Sequence, residues 1–221
     1  MAGKMPPVLR GAVVTTAVTC PRQHTGVCLS GGSVLDADVA RMQYVSQHGG
    51  LYLDTDARCI LPPRSWPQAY PNLDWDNASL LIGIEFPCPI CAPPARGPDG
   101  SCLQFTNWAF AATAGNRILS EVAHEGRLAI ARRAHVLDAV HATGPGLLTR
   151  VVLRHIGHVF NLANVENDGA TYVSKRTGER VLVLPYRAFG IHMAHRGSHI
   201  KRHPTHQQLV RHQFKGSWRH A

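Results

Sequence analysis

The stretch "SVLDADVARMQYVSQHGGLYLDTD", residues 33–56, decides the fold. Leu35, Val39, Met42 and Val45 recur at three- and four-residue spacing, which predicts an amphipathic helix. Ser33 is placed to cap it with Asp36 at the capping-box position, and Gly49-Gly50 supplies the stop. "LYLD" then reads as a short buried strand that breaks into two carboxylates, Asp54 and Asp56. In an extended chain residues i and i+2 point the same way, so both carboxylates address one point past the strand's end. In open α/β sheets ligands bind there. Two hard oxygen ligands suit Mn2+ or Mg2+, which usually take further ligands from water and substrate phosphates. A bare D-x-D is more often a loop with solvated aspartates, so the surroundings have to decide.

Outward from this stretch, helix and strand signals alternate. "ASLLIGIEF" reads as a second strand and "GERVLVLPYRAF" contains another. "FTNWAFAATAGNRILSEVAHEGRLAIARRA" carries helical signals over most of its length, interrupted near Gly115. "VLDAVHATGPGLLTRVVLRHI" reads as helix, Gly-Pro-Gly loop and helix, and "ILPPRSWPQAYP" as a proline-punctuated loop. Residues 1–32, rich in Gly, Pro and Thr, read as a poorly ordered lead-in with one strand at Gly11–Val18. Residues 33–221 form the single main domain, with a Cys/Pro/Gly-rich insertion at 87–102. The alternation predicts an α/β fold with a mostly parallel sheet flanked by helices.

The 221 residues, 44% hydrophobic, are enough for a real core. A formal charge of +9 implies an anionic partner: nucleic acid, a membrane surface or a phosphorylated small molecule. No Asp or Glu occurs in residues 1–35 or after Glu179. No run approaches the roughly 18–20 apolar residues that span a bilayer. Cys88, Cys91 and Cys102 offer three of the four ligands of a closed zinc site, with Cys59 or a histidine as the fourth. A disulfide within the insertion, or free thiols, is the commoner outcome for such spacing. The last thirty residues hold seven of the fourteen histidines, but no nucleic-acid reading motif, so no nucleic-acid partner is expected.

Asp38 and Arg41 lie three residues apart on one face of the helix that precedes the strand. Taken together, "DADVARMQYVSQHGGLYLDTD" resembles the DXD region of the Och1-like glycosyltransferases, glycosyltransferase family 32, and is similar to that of the large clostridial glucosylating toxins. Those enzymes carry an Asp and an Arg on the helix, a Gly-Gly-x-Tyr-x-Asp-x-Asp block and a following proline loop. "TNWAFAATAGNRIL" looks like the family's Asn-containing helix, "TGPGLLT" (143–149) like its Thr-Gly-Pro segment, and "VRHQFKGSW" (210–218) like its closing His-x-Phe-x-Gly-Ser-Trp element.

The resemblance implies a GT-A-like, Rossmann-related fold and a metal-dependent, retaining hexosyltransferase. For the Och1-like branch the donor is GDP-mannose, and the product an α-1,6-mannosyl linkage on an N-glycan, made in the Golgi. Inositol phosphoceramide or another glycan, with a GDP- or UDP-sugar, is the alternative, as is a non-catalytic remnant. By the same resemblance Asp54, Asp56 and His212 hold Mn2+ or Mg2+, with Asp56 the direct ligand. Asp38, Arg41, Tyr52, Asn107, Gly144, Ser217 and Trp218 contact the donor. Family members carry a further strand-helix-strand unit before this region, whereas 53 residues precede Asp54 here. Part of the nucleotide-binding half is therefore expected to be missing, together with the usual membrane anchor. Membrane association would then need such an anchor or a partner.

Overall fold

The computed structural model describes residues 5–11, 13–17, 27–30, 33–87, 103–132, 139–157, 169–189 and 207–213. Strands β1 (Val13–Ala17) and β2 (Val27–Ser30) come first, followed by helix α1 (Val34–His48), β3 (Gly50–Leu53) and β4 (Ala57–Cys59). A short helix α2 (Trp66–Ala69) leads to β5 (Leu80–Pro87), β6 (Leu103–Ala112) and α3 (Arg117–Ala131). The chain continues with α4 (Ala139–Ala142), α5 (Pro145–Ile156), β7 (Ala170–Val173), β8 (Arg180–Leu184), α6 (Tyr186–Phe189) and β9 (Val210–His212). The main sheet has seven strands in the order β2-β1-β3-β6-β5-β8-β7, and β4 and β9 form a separate two-stranded ribbon.

Local chemistry accounts for α1 and β3. The Ser33 hydroxyl accepts a hydrogen bond from the Asp36 amide, and the helix ends as the Gly49 amide bonds to the Val45 carbonyl. Gly49 takes φ +72°, and a Cβ there would stand 2.7 Å from the Ala114 amide, so only glycine fits this stop. Alternation then divides the core. Tyr52, Ile82, Phe110, Val181 and Val183 face α1, α3 and α5. Leu51, Leu81, Ala109, Ala111, Leu182 and Leu184 face a second layer that includes Trp66, Trp75, Phe189 and Leu209.

The layered α/β fold expected from the sequence is thus present, but its sheet is mixed. β1–β2, β1–β3 and β5–β8 are parallel, while β3–β6, β5–β6 and β7–β8 are antiparallel. Much of the difference comes from residues 105–112, expected to be mainly helix, which belong to the antiparallel strand β6, and the rest from the β7–β8 hairpin. Nearly every position of "LQFTNWAFAA" is buried, so the segment lacks the alternation that betrays a strand, and its Phe, Thr and Trp residues prefer one. The interruption expected near Gly115 is the turn between β6 and α3, which begins at Arg117. Residues 1–32, expected to be a poorly ordered lead-in, contribute β1, close to the strand foreseen at Gly11–Val18, and also β2. Of the Cys/Pro/Gly-rich insertion only Pro87, the last residue of β5, is described, and Cys88, Cys91 and Cys102 lie outside the described residues. Among those residues no helix is long and apolar enough to cross a membrane.

A polar row ties α3, α5 and the β7–β8 turn together. The Ser174 hydroxyl accepts from the Arg176 and Thr177 amides, so its own proton goes to His155 Nδ1 at 2.9 Å, and Nε2 donates to Glu121 at 2.9 Å. The order is that of a nucleophile triad, but Ser174 is 1% exposed and its oxygen is already engaged. The row is a strut.

Two outcomes follow from this packing. A Cβ on Gly83 would stand 2.4 Å from the Phe189 ring, so Gly83→Ala should lower stability by about 1–3 kcal/mol, read as the urea midpoint, and Phe189→Leu in the same chain should recover part of it. Burial works against the Glu121 carboxylate, yet His155 and Arg176 together hold its pKa below the ordinary value. Its contribution is therefore present above the ordinary carboxylate pKa and lost as pH falls through the lowered one. The midpoint gap between wild type and Glu121→Gln should be open at neutral pH and close as the pH falls through the lowered pKa.

Candidate functional site

The site grows out of Arg41, on the third turn of α1 and 8% exposed. Its Nη1 donates to Asp54 Oδ1 at 2.8 Å and to the Asn107 carbonyl at 3.2 Å. Nη2 meets Asp38 Oδ1 at 3.3 Å, and Nε donates to the Ala37 carbonyl. The guanidinium lies 4.9 Å above the Tyr52 ring, whose hydroxyl donates to Asp54 Oδ1 at 2.5 Å. Burial opposes the charge on Arg41, but Tyr52, Asp54 and Asp38 hold its pKa above the ordinary value.

One guanidinium sets the two aspartates apart. Burial opposes ionisation at both. At Asp54 the close pairing with Arg41, with His212 and Tyr52 beyond it, wins and lowers the pKa. At Asp38 burial prevails over the longer contact with Arg41 and the Thr143 hydrogen bond, and the pKa rises. Asp38 is nonetheless well held, by the Asn107 amide at 3.2 Å on Oδ1 and the Thr143 hydroxyl at 3.1 Å on Oδ2.

Asn107 reaches Asp38 because β6 bulges. Ile82 pairs with Phe110 but Ile84 pairs with Phe105, so two steps along β5 correspond to five along β6. The surplus residues swing toward the end of β3, where the Asp54 amide bonds to the Trp108 carbonyl at 2.8 Å. Thr106 satisfies the Ala109 carbonyl inside the bulge, and Thr149 on α5 caps the Phe105 amide.

The other wall is the β4–β9 ribbon, which pairs Ala57 with His212. Buried Leu209 and Val210 anchor it, and the Tyr70 hydroxyl donates to the Gln207 carbonyl. Its effect is to set His212 Nε2 3.0 Å from Asp56 Oδ1 and 3.6 Å from Asp54 Oδ2, with the imidazole against Trp108 at 4.8 Å. One ligand atom from each of Asp54, Asp56 and His212 lies within 4.8 Å of the others. Two carboxylate oxygens and an imidazole nitrogen converge here. This donor set fits a divalent metal ion.

Asp38, Arg41, Tyr52, Asp54, Asp56, Asn107 and His212 thus come together at one edge of the sheet, with Asn107 on a strand where a helix was expected. Gly144 is the N-cap of α5, packed 3.1 Å from the Val140 backbone as measured from an added Cβ, and it adjoins Thr143. Ser217 and Trp218 lie outside the described residues. The sequence reading missed Thr143 and Trp108. Thr143 sat in the quoted "TGPGLLT", where only its neighbour Gly144 was singled out. Nothing local marked Trp108.

Residues 31–72 match the family model described as the glycosyltransferase sugar-binding region containing the DXD motif. That span includes Asp38, Arg41, Tyr52, Asp54 and Asp56. The mixed α/β sheet with the D-x-D pair at a strand's end agrees with the α/β architecture expected from the sequence. Among solved structures the chain is similar to one titled "PaToxG Glycosyltransferase", at 18% identity and a TM-score of 0.36. The alignment spans 55% of this chain and 36% of that one, a likeness too slight to carry any argument. No curated protein matches the chain.

The hub yields a direct test. Arg41→Met leaves Asp38 and Asp54 without the cation they share, and should cost about 3–5 kcal/mol in chemical denaturation. Adding Asp38→Asn should recover part of that loss, because the second buried charge leaves with the first.

Proposed function

We propose that this protein is a metal-dependent hexosyltransferase that takes mannose from GDP-mannose and passes it to a glycan acceptor with retention of configuration. The observation that carries the reading is the convergence of Asp54 and Asp56, both inside the matched sugar-binding region, with His212 of β9 at the end of β3. The preference for GDP-mannose, an N-glycan or glycolipid acceptor and a lumenal Golgi setting rests on the resemblance of the quoted motifs to the Och1-like enzymes.

In this reading Asp54, Asp56 and His212 hold the ion, with Asp56 the principal ligand because Asp54 is shared with Arg41 and Tyr52. Carboxylates suit Mn2+ and Mg2+ alike, and the imidazole tips the set toward Mn2+. When bound, the ion stabilises the charge that develops on the departing diphosphate. Arg41 adds a fixed positive charge beside it, needing no reorganisation as the bond breaks. Four guanidinium N–H groups are already engaged, so a sugar hydroxyl meets the remaining one together with Asp38 and the Asn107 amide. Gly144, Ser217 and Trp218 are further donor contacts in this reading, the last two closing over the phosphates.

Titration with GDP-mannose, UDP-galactose and UDP-glucose, with and without Mn2+, tests the reading. GDP-mannose should bind in a Mn2+-dependent way, and Asp56→Asn and His212→Ala should each weaken that binding at least about tenfold. Preference for a UDP-sugar would move the reading to the alternative donor. Affinity indifferent to Mn2+, or to both substitutions, would overturn it.

A further inference from the structure

The strand "ASLLIGIEF" carries one carboxylate, Glu85, in an otherwise apolar run. It is half-buried near the C-terminal end of β5, which runs parallel to β3 through the shared antiparallel partner β6. Asp54 and Glu85 therefore end up at the same edge of the sheet, separated by the β6 bulge. Along β5, Ile82 and Ile84 face the α1 side while Leu81 faces the other layer, and alternation sends Glu85 with Leu81, toward Trp108. The Gln104 amide, from the cross-strand segment just beyond the bulge, donates to Glu85 Oε2 at 2.6 Å. The Trp108 indole N–H donates a second hydrogen bond to Glu85, Trp108 packs against His212 at 4.8 Å, and His212 and Asp54 lie near enough for their charges to act on the carboxylate.

Glu85 nevertheless stands outside the metal set, which among the described residues comprises Asp54, Asp56 and His212. Asp54 is bound by Arg41 on the α1 side and faced by His212 on the other. The residues assigned to the donor sugar, Asp38, Arg41 and Asn107, occupy the α1 side. Among the described residues none of these donor contacts is on the β5 side, where a group that attacks the sugar can approach.

We propose that Glu85 is an acceptor-positioning residue: its carboxylate receives the hydrogen bond of the attacking hydroxyl group, whether of a sugar or of water. This deepens the hexosyltransferase reading and rests on it. The ordinary alternative is a pin that merely holds Trp108 and Gln104. A pin would pass its loss on to His212 and so to the metal set, whereas an acceptor contact would spare ion and diphosphate and affect only turnover.

The experiment measures Mn2+-dependent binding of GDP and UDP, and Mn2+-dependent hydrolysis of GDP-mannose and UDP-glucose with water as acceptor, in wild type, Glu85→Gln and Glu85→Ala. For Glu85→Gln the diphosphate affinity should stay within about twofold of wild type. Hydrolysis should fall at least about tenfold, the effect of losing one hydrogen bond to a charged group. Added formate should restore part of the rate in Glu85→Ala, a response a structural pin would not give. Unchanged hydrolysis in Glu85→Gln, or a fall in rate matched by an equal fall in diphosphate affinity, overturns this inference alone. Wild-type protein that binds neither diphosphate with Mn2+, or hydrolyses neither donor, overturns it together with the reading beneath it.

Discussion

Everything at the functional edge of the sheet depends on a cation sealed inside it. Arg41 is the cation that meets both Asp38 and Asp54, and its contacts run to α1, β3 and β6 at once. Without it two partly buried carboxylates would repel one another, and the bulge in β6 would lose the donor that satisfies the Asn107 carbonyl. Lysine would not substitute. A single ammonium on a flexible stem cannot address partners that diverge in this way, whereas the planar fork can. The price of burying such a charge is met locally, and it leaves Asp54 ionised at the strand's end, next to Asp56 and His212.

What was legible in the sequence was what is decided locally. The helix α1, its Ser33 cap, its glycine stop, the strand after it and the D-x-D pair all follow from spacing and short-range hydrogen bonds within residues 33–56. The place of Asp38 and Arg41 beside the aspartates follows too, because a two-glycine turn fixes how helix and strand meet. Residues 105–112 were misread since burial on both faces erases the period that distinguishes strand from helix. Once they are a strand, the register shift between β5 and β6 becomes possible, and no sequence pattern announces a bulge. Trp108 and Thr143 owe their positions to that bulge and to the α4–α5 turn, so neither could be found before the fold.

His212 is a different case. Its sequence neighbours are basic and polar, and nothing in their composition points to a sheet. Only the family resemblance singled it out. Its placement comes from pairing with Ala57, a contact between residues 155 positions apart, since 212 − 57 = 155. Contacts of that range are invisible to periodicity. They are set by buried anchors, here Leu209 and Val210, which fix the strand while leaving the polar His212 at the rim.

The ribbon formed by β4 and β9 is three residues long on each strand and stands apart from the main sheet. So short a pairing opens at a free energy well below that of the whole fold. When it opens, one of the three converging ligand atoms leaves with it. Order at residues 207–213 and occupancy of the site are therefore two readouts of one equilibrium. Whatever binds the closed form with dissociation constant Kd lowers the open population by the factor 1 + [L]/Kd. A protease nicking this segment would then measure site occupancy without any chemistry being followed.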